Sequence, residues 1–203
     1  MRHIRSRKTT PKVRDGKVQR KNRTDLSRHY RQYIQDRPYI DRLRPGAGYR
    51  HILLKRDVSK FIDLLPDWEE LSRDLDAIVL VPGEDDFLGW HKPGLVAVCA
   101  WERELVSEWT TGFVDEHRAV LDRLSVVCEP KEDDTYLVHW TEASIRGFQL
   151  MHVLLHELGH HHDRITTRSR VRASRGEFYA ERYALAYADR IWDEYFKAVS
   201  YTH

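Results

Sequence analysis

"MHVLLHELGHHHDR" (residues 151–164) sets five histidines, a glutamate and an aspartate into a leucine-rich run. Polar side chains beside a hydrophobic core are costly unless something holds them. The apolar residues supply the frame. Ile145, Phe148, Leu150, Met151, Leu154, Leu155 and Leu158 predict a helix over 142–163, starting near Thr141, with a wide face turned to the core. On such a helix His156 and His160 lie four residues apart, about 40° around the axis and roughly 6 Å along it, so both imidazoles leave one face. Their nitrogens are then placed to meet one metal ion.

Glu157 follows the first histidine directly, giving H-E-x-x-H. This order suits zinc hydrolysis: the histidines bind Zn²⁺, the metal lowers the pKa of its water toward neutrality, and the glutamate takes that water's proton. His156 and His160 are therefore expected to be metal ligands and Glu157 the catalytic base. Gly159, lacking a side chain, lets another backbone or a substrate come close.

Two histidines need a third ligand. The metzincin spacing asks for histidine where Thr166 stands, so that version fails. Downstream, "SRGEFYAERYALAYADRIW" (174–192) predicts a second helix on which Ala180, Ala184 and Ala188 recur every four residues, a seam that allows close packing. Ser174 and Glu177 stand in capping-box relation at its start, which leaves open that Glu177 serves only as a cap and Glu181 only as a surface acid paired with an arginine.

With His156, Glu157 and His160 followed by Glu177, Ala180, Glu181, Tyr183 and Ala184, the chain resembles the gluzincin metallopeptidases, several families of which carry E-x-x-A-[DN]-x-[FY]-A on a second helix. The resemblance covers these two helices. It implies a zincin-like fold with Zn²⁺ between them, Glu177 as the third metal ligand, and Glu181 as the residue that orients a liganding histidine from its far side. Glu181 departs from the pattern, which has Asp or Asn there. The membrane-embedded CAAX-type branch does not fit, because the longest mainly apolar run, "GLVAVCAW" (94–101), is far below the roughly 20 residues a spanning helix needs.

His161 and His162 cannot share the face of His156 and His160, and are expected to be exposed. His152, one turn before His156, is open to lining the cleft or to a place in the core. Asp163, Tyr183, Tyr187 and Tyr195 are candidates for stabilising an oxyanion or orienting a ligand, and spacing does not choose among them.

The 203 residues, 41% apolar and 11% aromatic, suffice for one globular domain and are short for two. Cys99 and Cys128 lie too far apart to argue a disulfide framework or a thiolate metal knuckle, as in a cytoplasmic protein. Residues 1–24 carry ten Lys and Arg against one acid, a net of +9, so the other 179 residues hold −7 of the total of +2. So basic and apolar-poor a tail is expected to be disordered, with the domain running over 25–203. The tail is open to contact with nucleic acid or another polyanion.

"LSRHYRQYIQDRPYIDRL" (26–43) predicts a short helix as far as Pro38, "RPGAG" (44–48) a turn, and "RDVSKFIDLLP" (56–66) a further helix. "AIVLVPG" (77–83), "GLVAVCAW" (94–101) and "TYLVHW" (135–140) predict strands of a small sheet, with a helix in "FVDEHRAVLDRLSV" (113–126) between the last two. The expectation is an α+β domain whose sheet packs on the active-site helix. The expected activity is zinc-dependent hydrolysis of a protein or peptide substrate, which an edge strand at 94–101 or 135–140 would hold in extended form. The alternative is a polyanion-binding protein in which the basic tail is the working element and the zinc is structural, with His152, His162 or Asp163 closing the fourth position.

Overall fold

AIVLV at 77–81 has no polar residue and must bury both faces. In a computed structural model of the chain it does so as an inner strand of a mixed sheet. The described residues are Tyr30, 37–84, 87–167 and 175–200, with the backbone of three dipeptides, 4–5, 13–14 and 17–18. The remainder of the basic tail, all but Tyr30 and Arg37 of the helix predicted before Pro38, and Ser174 lie outside them.

The elements are β1 (Tyr39–Arg42), β2 (Tyr49–Arg50), α1 (Lys55–Ile62), α2 (Trp68–Leu71), β3 (Ala77–Val81), β4 (Gly89–Lys92), β5 (Leu95–Cys99), β6 (Trp101–Glu102), β7 (Val106–Thr110), α3 (Thr111–Glu116), α4 (Arg118–Arg123), β8 (Val127–Pro130), β9 (Thr135–His139), α5 (Glu142–Phe148), a π-helical segment (Gln149–Leu154), α6 (Leu155–Thr166) and α7 (Gly176–Ser200). The architecture is mixed α and β, as expected, but the three predicted strands do not share a sheet. The first sheet runs β1-β3-β5-β4, with parallel pairs except for antiparallel β4 at its end. The second has antiparallel β7-β9-β8, with Ile4–Arg5 beside β7. The helix expected over 113–126 is two, broken at His117.

Strand alternation divides the first sheet. Ile78, Leu80, Val96 and Val98 face one core with Val58, Phe61, Leu154 and Leu158 from the helices. Ala77, Val79, Val81, Trp90 and Ala97 lie on the other face with Tyr30, whose hydroxyl donates to Asp41 Oδ2 at 2.7 Å. The second sheet contributes Trp109, which packs with Trp140 and Phe148 under the start of the motif helix. That helix begins as the sequence predicts: Thr141 Oγ1 accepts from the Ser144 N–H and Ser144 Oγ from the Thr141 N–H, at 3.0 and 2.9 Å. It is not a continuous α-helix, because residues 149–154 form a π turn, and it runs on to Thr166. Among the described residues no helix is long and apolar enough to cross a membrane.

The alanine seam brings α7 onto α6. Ala180 and Ala184 are fully buried, and a Cβ on Gly159 would lie 2.9 Å from Ala180 Cα and 3.0 Å from its carbonyl oxygen. The backbone approach expected at Gly159 is that of Ala180. Gly to Ala inside a helix ordinarily stabilises by up to about 1 kcal/mol. Here the sign should reverse: Gly159→Ala must push α7 outward, at about 1–3 kcal/mol. A lower melting temperature is the expected result, and an unchanged or raised one would show that the seam parts freely.

Candidate metal centre

α6 presents His156 and His160 to the face that α7 covers, and Glu177 is the second residue of α7. Glu177 Oε2 lies 3.2 Å from His156 Nε2 and 3.6 Å from His160 Nε2. One ligand atom from each of the three residues falls within 4.8 Å of the others, a group able to hold a metal ion. One helical turn on, Glu181 sets Oε2 3.1 Å from His156 Nδ1, the nitrogen turned away from the group. The side chain one methylene longer than the Asp of the resembling pattern reaches this position. The three expected metal ligands and Glu181 are thus together, and Glu177 points at the histidines.

Both partners of the His156 ring are carboxylates, so both ring nitrogens donate and the metal-free ring carries both protons and a positive charge. Burial disfavours that charge, but the hydrogen bonds to Glu177 and Glu181 outweigh it and raise the His156 pKa to about 10. Hydrogen bonds from His156 and His160 hold the Glu177 carboxyl well below the usual carboxylate range. Burial opposes the charge on Glu181, yet its bond to His156 and the nearby imidazoles of His152 and His117 lower its pKa as well.

Glu157 is buried beneath β4. A Cβ on Gly89 would meet Ala97 O at 2.8 Å, Val153 Cγ1 at 2.9 Å and Glu157 Cγ at 3.0 Å, so only glycine lets the strand lie this close to the motif helix. The strands expected to offer an open edge do not: β5 lies between β3 and β4, and β9 between β7 and β8. Among the described residues, the sheet edge beside Glu157 is β4. Cys99 N–H bonds Leu88 O at 2.9 Å, and with the antiparallel register this turns the N–H and C=O groups of Gly89 and His91 outward, away from β5.

His91, absent from the sequence reading, stacks on His160 with ring centroids 6.4 Å apart and meets His161 edge-on at 5.8 Å. Burial, and the nearby His161, Arg164 and His160, lower its pKa to about 3. The signal for it was the Pro93-Gly94 turn between "GWHK" and "LVAVC", a hairpin mark.

His161 is fully buried, not exposed. Its Nε2 donates to Arg73 O at 2.8 Å and its Nδ1 accepts from Arg164 at 3.3 Å, which fixes the neutral tautomer. Burial lowers its pKa to about 4. His162 is partly buried, with Nδ1 2.6 Å from the Tyr179 hydroxyl. His152 takes the place in the core, packed on Phe148 and His117 with Nε2 3.9 Å from Glu181. The oxyanion candidates are engaged elsewhere. Asp163 binds the start of α7, the Tyr187 hydroxyl donates to Pro66 O, Tyr195 packs edge-on against Phe61, and Tyr183 stacks between His162 and Tyr187.

The buried pair His117 and His152, 4.6 Å apart, predicts acid sensitivity. Burial lowers both pKa values, that of His152 to about 3, although His117 donates to Phe113 O and the carboxylates of Glu116 and Glu181 are near. An unfolded histidine gains its proton around pH 6.5, so below that pH the unfolded chain binds more protons and stability falls, by up to about 1.4 kcal/mol per pH unit for each ring. His156, whose folded pKa is raised to about 10, works the other way near pH 6.5 and adds no slope only once the unfolded ring is charged as well, toward pH 5, so it offsets one of the two buried rings at the top of this range. Unfolding free energy measured between pH 6.5 and 5, above the carboxylate range, should decline; a flat profile contradicts this.

No family model, curated protein or solved structure matches the chain.

Proposed function

We propose that the protein is a zinc-dependent metallopeptidase of zincin-like fold, with His156, His160 and Glu177 as the metal ligands and Glu157 as the general base. The observation that carries this reading is the meeting of His156, His160 and Glu177 across two helices, with Glu181 on the outer nitrogen of His156. Outer hydrogen bonds of this kind fix the tautomer and aim of a liganding histidine. The residues that a structural site would need for its fourth position favour the catalytic reading, since His152 packs in the core on Phe148 and His117, His162 meets Tyr179, and Asp163 binds Arg175 at the start of α7. Catalytic zinc sites keep that position open.

A bound Zn²⁺ supplies Lewis acidity toward a carbonyl and lowers the pKa of a water. The remaining work falls to side chains of this chain. Glu157 accepts a proton from the attacking water as its oxygen bonds to the scissile carbonyl carbon, then delivers that proton to the amine as the C–N bond breaks. The outward N–H and C=O groups of Gly89 and His91 offer an extended peptide a strand to pair with, beside Glu157.

Elemental analysis of the purified full chain should find about one zinc per molecule, and a mixture of unstructured peptides should be cleaved in a manner abolished by chelation and restored by Zn²⁺. Absence of zinc after incubation with excess metal, or cleavage indifferent to chelation, would defeat the proposal.

A further inference from the structure

The geometry points to Asp163 as the residue that positions Glu177 for the metal, an inference that rests on the metallopeptidase reading. Asp163 lies on α6 three residues after His160 and is fully buried. Its Oδ2 accepts the backbone N–H groups of Arg175 and Gly176 at 2.8 and 3.2 Å, and its Oδ1 accepts Arg175 Nε at 2.9 Å. The first N–H groups of a helix have no partner within it, and a carboxylate there is also favoured by the helix dipole. α7 starts at Gly176, so the helix that carries the third ligand is capped by a side chain of the helix that carries the other two.

What this does for the site follows from the freedom of Glu177. Its side chain is 68% exposed, so packing does not choose its rotamer. Whether its carboxylate reaches both histidines depends on where its backbone stands along α6. The Gly159–Ala180 contact sets how close the helices come, but a seam of small residues resists sliding weakly. The Asp163 bonds end one residue before Glu177 and fix that axial position. A second set of contacts closes the same end: Arg175 bonds Thr166 Oγ1 and lies 4.0 Å over the Tyr179 ring, while the Tyr179 hydroxyl meets His162.

A residue that merely staples the fold would weaken zinc binding whether or not Glu177 is present, whereas a positioning residue acts through Glu177. The test is a double-mutant cycle on the full chain, with Zn²⁺ affinity read by competition against a chromophoric chelator and the melting temperature of the metal-free protein recorded beside it. Asp163→Asn should lower zinc affinity about 10- to 100-fold in the parent, and by less than about threefold in the Glu177→Ala background. Should Asp163→Asn not fold, Asp163→Ser, which keeps one acceptor for the helix N–H groups, is taken through the same cycle. An equal loss in both backgrounds overturns the inference, as does a parent-like affinity of Asp163→Asn, or failure of both substitutions to fold, which would make Asp163 a staple. A parent chain that binds no zinc instead removes the metallopeptidase reading itself, and this inference with it.

Discussion

Glu177→Ala should lower Zn²⁺ affinity by on the order of a thousandfold, because it removes one of the three proposed side-chain ligands, and the full ligand sets of structural zinc sites are worth roughly 10–16 kcal/mol. The carboxylate concerned stands 3.2 and 3.6 Å from Nε2 of His156 and of His160. Glu181→Ala, which takes away only the bond to His156 Nδ1, should cost about 10- to 100-fold. A Glu177 that served only as a helix cap would give a different pattern: about 1 kcal/mol of stability lost and zinc retained. Zinc affinity and melting temperature of both variants separate these cases. If Glu181→Ala strips the metal and Glu177→Ala keeps it, the two acids exchange roles. Parent-like binding by both would place the third ligand elsewhere.

Glu157→Gln should retain stoichiometric zinc and lose about 10²- to 10⁴-fold in hydrolysis. The substitution preserves the shape that packs beneath Gly89 while removing the proposed proton acceptor. Metal content is therefore the control on this experiment. Zinc lost together with activity would make Glu157 a structural partner of the site, and activity within a few-fold of the parent would rule it out as the base.

His156, His160, Glu177 and Glu181 are legible in the sequence because each pair sits four residues apart on a helix, and helical spacing is a local property. The way the two helices face each other is legible too, through Gly159 and the alanines. The edge strand is not. GWHK at 89–92 contains no β-branched residue, and its strand conformation comes from the Pro93-Gly94 turn that folds it back on β5 and from the space beneath Gly89. Sheet membership is equally non-local. The strand 135–139 takes its partner from 106–110, whose Glu108 reads as a surface residue until Lys131, at 3.0 Å, and Thr135 come to meet it. His161 illustrates the same limit from the other side. Its spacing removes it from the face of His156 and His160, but its burial depends on the Arg73 carbonyl, 88 positions away in the chain.

The π turn at Gln149–Leu154 makes the aim of the histidine pair a matter of chain length. Such a turn closes its hydrogen bonds over five residues instead of four, so it takes up one residue more than an α-helix would. Gln149 pins the segment to the end of β5 by donating to Cys99 O at 2.8 Å. Were one residue deleted between there and Leu154, the helix could close as ordinary α, but everything after it would swing about 100° round the axis and retreat about 1.5 Å. His156 and His160 would then look past α7. Drift within this segment can exchange one apolar side chain for another, yet it cannot add or drop a residue without turning the pair away from Glu177.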